Sequence, residues 1–225
     1  MFRSYALCLA VALMMLGAPA VSAAVTDTGD TYLVADTYVG YFSEGSLTVD
    51  AGSTYATNMF YVATTASGIG TLTATGSGST ITANSQTYIG YGGVGVLNIT
   101  SGAVFFADGA SEVAQSGAFG VGYTSTGNGT VNVSGTGSTL TLSDILFLGH
   151  SGTGTINLSS GATMTTNKTV YLGASTGKGT LNISSGAVLT SNGTSGFPNP
   201  SIINIGNTAA GASSATVDGA GSQWI

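Results

Sequence analysis

The sequence is unusually poor in charged residues. Only 5% of its 225 residues are charged, against about 25% in an ordinary soluble domain. Such a chain must interact with water mainly through Ser, Thr and Asn. Because 43% of the residues are hydrophobic and recur at regular positions, the low charge does not indicate disorder. We expect a folded protein with an apolar core.

Positive charge is the scarcest of all. Beyond Arg3, the chain has only Lys168 and Lys178 against nine acidic residues, which leaves a net charge of −7 once the start of the chain is removed. No basic surface is then available to neutralise phosphates, so the sequence excludes nucleic acid as a partner. Anionic membrane surfaces are disfavoured for the same reason.

Cysteine is also nearly absent, since Cys8 is the one cysteine and lies in the apolar run near the start. A secreted chain without disulfides must obtain its stability from packing and hydrogen bonds alone, which suits a long regular structure. No Cys or His pair with metal-ligand spacing exists. The sequence predicts no metal site and no cofactor.

Residues 1–23 have the organisation of a secretory signal peptide. A short positive start ending at Arg3 is followed by the apolar run Tyr5 to Leu16 and by small residues up to Ala23. This run is shorter than the roughly 20 residues that a membrane-spanning helix needs. We expect cleavage after Ala23, with Ala20 and Ala24 as alternatives. The mature chain, without a membrane span, is predicted to be secreted or associated with the outer membrane or cell surface.

What the chain has in abundance is an internal repeat. The stretch Gly154-Thr155-Ile156-Asn157-Leu158-Ser159-Ser160-Gly161-Ala162 returns almost unchanged as Gly179-Thr180-Leu181-Asn182-Ile183-Ser184-Ser185-Gly186-Ala187. Apolar and polar residues alternate with the period of a β-strand, and glycine follows where a corner needs a positive φ. Some copies carry a further Gly-x-Gly-Ser element, as in Gly135-Thr136-Gly137-Ser138.

A shorter strand, which ends in an aliphatic residue and then a small one, recurs every 23 to 33 residues. Its copies are Tyr38-Val39-Gly40, Tyr61-Val62-Ala63, Tyr88-Ile89-Gly90, Gly120-Val121-Gly122, Phe147-Leu148-Gly149, Tyr171-Leu172-Gly173 and Asn204-Ile205-Gly206. One such unit cannot hide its aliphatic side chains, whereas stacked parallel copies can.

The repeat therefore predicts an all-β fold, a single-stranded parallel β-helix of about seven rungs, right-handed like other parallel crossovers. It would span residues 37–225, after a lead-in at residues 24–36 that forms an incomplete first turn and cap, and would end in mid-repeat. Two interior columns are predicted: Leu47, Leu72, Leu97, Val131, Ile156, Leu181 and Ala215, and Val49, Ala74, Ile99, Val133, Leu158, Ile183 and Val217.

The Gly-x-Leu-x-Ile-x-x-Gly-Ala core and the ending Gly219-Ala220-Gly221-Ser222-Gln223-Trp224 resemble the repeats associated with autotransporter (type V secretion) and PEP-CTERM proteins. The resemblance covers residues 37–225 and implies a passenger-like stalk. Two family features are missing from this sequence: the alternating strands of an outer-membrane barrel, and a Pro-Glu-Pro motif with an apolar helix and basic end. The resemblance thus leaves open a truncated reading frame or a fragment of a longer passenger.

Catalytic motifs are weak. Gly173-Ala174-Ser175-Thr176-Gly177 matches a nucleophile elbow, but the one histidine, His150, precedes it and is expected to be a solvent-facing loop residue. Asp27-Thr28-Gly29 lacks the second carboxylate of an aspartic protease, and nothing places another acid opposite Asp108 and Glu112 for glycoside hydrolysis. The mature chain also lacks the arginine typical of β-helical polysaccharide lyases. We predict that the protein is not an enzyme.

Two outward rows are the candidates for contacts. Aromatic residues in the shorter strands predict an interrupted ladder that could stack on sugar rings or on a partner protein, or could simply stabilise the sheet: Tyr38, Tyr61, Tyr88, Phe147 and Tyr171. A polar row on the longer strands is expected to form hydrogen bonds between rungs: Thr48, Thr73, Asn98, Asn132, Asn157, Asn182 and Thr216.

These features favour an exported bacterial surface or secreted repeat protein, a rigid passenger-like stalk with a role in adhesion. Its partners would be surface glycans or other cell-surface proteins. The alternative is a carbohydrate-binding or polysaccharide-degrading β-helix protein. Loops at the insertions Phe106 to Ala118 and Thr190 to Ser201 are a further place for specific contacts.

Overall fold

The computed structural model describes residues 21–25, 31–109, 118–192, 203–206 and 212–225, and these residues form β-strands and no helix. The predicted all-β class is confirmed. The strands are β1 (Val21–Val25), β2 (Thr31–Val39), β3 (Glu44–Val49), β4 (Thr54–Val62), β5 (Ile69–Thr75), β6 (Thr80–Ala83), β7 (Thr87–Ile89), β8 (Val94–Thr100), β9 (Val104–Ala107), β10 (Phe119–Val121), β11 (Asn128–Ser134), β12 (Thr139–Leu142), β13 (Leu146–Leu148), β14 (Thr153–Ser159), β15 (Thr163–Thr166), β16 (Val170–Leu172), β17 (Lys178–Ser184), β18 (Val188–Ser191), β19 (Ile203–Ile205), β20 (Ser214–Asp218) and β21 (Gln223–Trp224).

Strands of successive turns pair in parallel and in register. An eight-stranded sheet has the order β1-β3-β5-β8-β11-β14-β17-β20, and within it Val131, Ile156 and Leu181 lie at equivalent positions of three consecutive strands. The other strands form one larger sheet, again by parallel pairs. The fold is a parallel β-solenoid, as the repeat predicts.

Each turn contains three strands, whereas the repeat pattern predicts two. The additional strand follows the glycine corner and is only four residues long, as in Thr80–Ala83 and Thr139–Leu142. In the turn that begins with β3, this strand and the next merge into β4, which pairs with β6 at one end and with β7 at the other. Strands β3 to β19 make six turns. The predicted seventh rung, β20, is followed among the described residues only by the two-residue β21.

The core is a set of stacked side-chain columns. Both columns predicted from the longer strands are buried to 1% exposure or less through Leu181 and Ile183. In the last rung Ala215 packs against the core only in part and Val217 is 45% exposed, because no described strand stacks beyond β20. The four-residue strands and the first part of β4 contribute a third column: Tyr55, Ile81, Phe105, Leu140, Met164 and Leu189, with Trp224 packed against its end.

Glycine is required where a longer strand begins beside the corner that precedes it. A Cβ on Gly154 would lie 2.3 Å from the carbonyl oxygen of Val121 and 2.5 Å from the amide nitrogen of Gly149. Gly149 itself has a φ of +70°, a conformation that side chains with a Cβ disfavour. The glycine near the start of the longer strands β3 to β17 therefore allows the chain to pass close to the preceding corner.

The Gly-x-Gly-Ser element has a specific role at the corners. The buried Ser138 hydroxyl accepts a hydrogen bond from the Gly102 amide of the preceding turn at 3.0 Å and donates to the Ser134 carbonyl at 2.7 Å. Ser79 accepts in the same way from Gly52, and Ser222 from Gly186. Each serine thus satisfies a corner amide that the strands leave unpaired.

The start of the chain is described only in part. Residues 1–20, which hold most of the predicted signal peptide, lie outside the described residues. Strand β1 covers the predicted cleavage region and pairs with β3, and β2 begins within the predicted lead-in and pairs with β4 along its length. Among the described residues, no helix is long and apolar enough to cross a membrane.

Candidate functional site

The predicted aromatic ladder lies on one side of the solenoid, at the central position of the third strand of each turn. Register places Tyr38, Tyr61 and Tyr88 opposite one another, and Phe147 opposite Tyr171. Their ring centroids are 5.3 Å apart at each of these steps. Side chains before and after them on the strands point into the core, so the ladder faces outward.

The ladder is less exposed than the alternation of residues predicts. Tyr38, Tyr61 and Tyr171 are half-buried, but Tyr88 is only 6% exposed and Phe147 only 9%. A second row of rings covers these two: Tyr91 and Tyr123 contact Tyr88, and Tyr123 and His150 contact Phe147. The five predicted side chains therefore lie on the outer face of their strands, but Tyr88 and Phe147 are largely inaccessible to solvent.

This second row occupies the corner position immediately after the small residue that ends each third strand. Tyr41, Tyr91, Tyr123 and His150 fill this position in four turns, whereas Thr64 and Ala174 fill it in two others. The sequence shows the shared position, but only the stacked turns bring these rings against the ladder. We call the two rows, together with Phe42, whose ring contacts Tyr41, the aromatic face: Tyr38, Tyr41, Phe42, Tyr61, Tyr88, Tyr91, Tyr123, Phe147, His150 and Tyr171.

The interruption predicted at Gly120 is closed in the structure. The ring of Tyr123 lies 4.7 Å from the ring of Tyr88 and 6.1 Å from the ring of Phe147. A Cβ on Gly120 would lie 2.6 Å from Cδ1 of Tyr88 and 2.9 Å from Cδ2 of Tyr123. Because Gly120 has no side chain, the rings of Tyr88 and Tyr123 can occupy this space. Ring contacts therefore continue without a break from Phe42 to Tyr171.

His150 belongs to this face. Its ring stacks on Tyr123 at 4.6 Å with an interplanar angle of 16°, and its Nδ1 lies 3.0 Å from the Ser151 hydroxyl. The predicted solvent-facing loop histidine is instead half-buried, because the corner folds its ring onto the aromatic face.

Three phenols of the aromatic face have raised pKa values. Burial raises the pKa of Tyr38, with Asp36 adding to the effect, and burial followed by the nearby Tyr38 raises the pKa of Tyr61. The pKa of Tyr88 is raised furthest, again first by burial and then by Tyr123. In these three side chains burial therefore favours the neutral phenol over the phenolate.

The four asparagines of the predicted polar row form a hydrogen-bonded ladder on the eight-stranded sheet. Each amide nitrogen donates to the amide oxygen of the preceding turn at 2.9 Å, from Asn182 to Asn157, from Asn157 to Asn132 and from Asn132 to Asn98. These side chains are half-buried. Their amides bond to one another, which supports the predicted structural role.

The other predicted candidates form no site among the described residues. Ser175 lies in a corner, where its backbone amide donates a hydrogen bond to the His150 carbonyl at 2.8 Å. Asp27 and Glu112 lie outside the described residues, as do most of both insertions. Lys168 pairs with the largely buried Asp144 at 3.1 Å. Where the structure is described, no group of His, Cys, Asp and Glu could hold a metal ion.

An open cavity of about 420 Å³ lies at the last turn and is lined by Ser191, Ile203, Trp224 and Ile225. The indole Nε1 of Trp224 is buried there without a hydrogen-bond partner. The described residues that line this cavity include no acid and no base.

No protein-family model matches the chain, and no curated protein and no solved structure is significantly similar to it. The class is thus defined by the fold: the protein is a parallel β-solenoid repeat protein.

Proposed function

We propose that the protein is an exported structural protein whose mature chain forms a rigid, passenger-like stalk, secreted or attached to the cell surface. The observation that carries this proposal is the single core that runs unbroken through β3 to β18. The resemblance of the repeats to autotransporter and PEP-CTERM repeats and the signal-like residues 1–23 support the export.

Rigidity follows from how the turns are joined. Each interior strand is paired on both sides, and the corners are tied by backbone bonds between turns, such as Gly149 to Val121 at 2.7 Å. Two side-chain ladders, one on each sheet, add contacts along the axis. A solenoid with nearest-neighbour contacts of this kind leaves few segments that open locally for a protease.

Export is tested by fusing residues 1–36 to a phosphatase that is active only outside the cytoplasm. We expect activity, and N-terminal sequencing of the full exported chain should place the cut after Ala20, Ala23 or Ala24. A fusion with Leu9→Arg and Leu13→Arg is the matched control and should stay inactive. An inactive wild-type fusion would contradict the export.

The stalk role is tested by hydrogen exchange on the purified chain. We expect the strands β5 to β17 to exchange slowly and to a similar degree, because they share one core. Fast exchange in several of these strands would contradict a rigid rod.

A second candidate function is glycan binding, which the continuous aromatic face favours. Tyrosine rings combine apolar surface with a hydroxyl group, and Phe42 at one end of the face is 49% exposed. A glycan array tests this function with Phe42→Ala and Tyr61→Ala. Binding that both variants lose, and that the control Asn157→Ala on the opposite sheet keeps, would support an adhesive role. If the wild-type chain binds no glycan, glycan binding is contradicted and only the structural stalk role remains.

A further inference from the structure

The aromatic face brings tyrosines from different turns into direct contact. Tyr38 and Tyr61 lie opposite one another on paired strands, with ring centroids 5.3 Å apart and planes 12° apart. Tyr91 and Tyr123 lie in consecutive corners at 5.8 Å, also 12° apart. All four rings are half-buried, so water and small oxidants reach them.

Two phenols in this position can be joined by oxidation. When each loses one electron and one proton, the resulting radicals couple through the ring carbons next to the oxygens and form one carbon–carbon bond. The coupled rings then regain their aromaticity as a dityrosine. Overall the two rings give up two electrons and two protons, and one hydrogen peroxide accepts them and becomes two water molecules.

Such a bond would stabilise the folded chain. Beyond Cys8 it has no cysteine, so a disulfide cannot tie one turn to the next. A covalent bond between Tyr38 and Tyr61 would close a loop of about 20 residues, and one between Tyr91 and Tyr123 a loop of about 30. Closing loops of this length restricts the unfolded chain much as a disulfide does.

We propose that Tyr38 with Tyr61, and Tyr91 with Tyr123, are sites of dityrosine cross-linking between turns, driven by hydrogen peroxide and a haem peroxidase. The rings must turn from stacked to edge-to-edge. Half-buried side chains can do so while their strands stay paired. This inference is independent of the proposed export and stalk function, since it concerns the folded chain alone.

The chain also offers internal controls. Tyr88 lies between the two pairs but is 6% exposed, so its ring is shielded from the peroxidase. Tyr171 is half-buried like the four reactive rings, but it stacks on Phe147 and faces Asn204. We therefore expect neither to be a main site of coupling.

The test treats the dilute, folded full chain with horseradish peroxidase and hydrogen peroxide. Dityrosine fluorescence, gel mobility and peptide mass mapping then locate the bonds. We expect a monomer in which the peptides of Tyr38 and Tyr61, and those of Tyr91 and Tyr123, are joined with the loss of two hydrogens. The same chain in urea should instead show scattered coupling.

Two substitutions make the test specific. Tyr61→Phe keeps the ring and the fold but lacks the phenol, so it should abolish the first bond and leave the second. Tyr171→Phe should change nothing. The oxidised wild-type chain should unfold roughly 6–12 °C higher for each bond, a shift that Tyr61→Phe combined with Tyr123→Phe removes. Bonds formed mainly between molecules, scattered bonds in the folded chain, or no dityrosine would each overturn the proposal.

Discussion

The ring of Tyr123 contacts the ring of Tyr88 at a centroid distance of 4.7 Å, directly above Gly120. This contact joins the two parts of the aromatic face, because the strand residue between Tyr88 and Phe147 has no side chain of its own. A corner residue thus replaces a strand residue in the ladder.

Gly120→Ala should therefore destabilise the protein. The new Cβ would overlap the ring of Tyr88, and one of the rings would have to leave its position, at a cost of about 1–3 kcal/mol. Urea unfolding followed by tyrosine fluorescence measures this change. Asn204→Ala, in the same column of strand positions, is the control and should cost little. Equal stability of Gly120→Ala and wild type would contradict the packing.

The amide ladder should respond to Asn157→Ala. Asn157 both donates to Asn132 and accepts from Asn182, so its loss leaves two half-buried amides without these partners. We expect a loss of about 1–2 kcal/mol in the free energy of unfolding. Thr155→Ala changes an outward residue of the same strand and should cost less. If both variants unfold alike, the ladder contributes nothing.

The third interior column should be as important as the two predicted ones. Phe105 is fully buried, and its ring lies 6.1 Å from those of Phe60 and Phe119. Phe105→Ala is expected to cost about 3–5 kcal/mol. Thr82→Ala changes an outward residue of the neighbouring strand and should stay near wild type. The comparison uses thermal unfolding, and a stable Phe105→Ala variant would contradict a close-packed column.

Alkaline pH should weaken the fold. The raised pKa values of Tyr38, Tyr61 and Tyr88 mean that the unfolded chain loses these protons near pH 10, about the ordinary value, while the folded chain still holds them. Their contribution to stability is complete below about pH 10 and falls as the pH rises further. Urea unfolding at about pH 8 and about pH 11 measures the loss, which Tyr88→Phe should reduce. If the free energy of unfolding falls equally in Tyr88→Phe and in wild type, the Tyr88 phenol does not contribute to the pH dependence.

Only part of the aromatic face could be predicted from the sequence. Tyr38 and Tyr61 were identifiable because they hold the same position of a recurring strand. Tyr123 and His150 share a corner position with Tyr41 and Tyr91, but Thr64 and Ala174 fill it in other turns, and the sequence does not show that this position lies against the ladder. Their contacts arise only when turns some 25 to 30 residues apart stack on one another.

The third interior column was not predicted from the sequence, for a related reason. Its strands are four residues long, and only two side chains of each point inward. The residues that build it, from Tyr55 through Phe105 to Leu189, differ in size and type and repeat no single letter. Packing selects them by the volume that the inward side chains of the other two strands leave in each turn, which a single copy of the repeat does not reveal.

By itself, the sequence determined the parallel stacking, the outward asparagines and the glycine corners, because these depend on the alternation within each copy and on the repeat of that copy. Only the tertiary structure decided that each turn has three sides and that the rings form one continuous face. Both depend on contacts between residues far apart in the chain, whose distances are set by how the turns close.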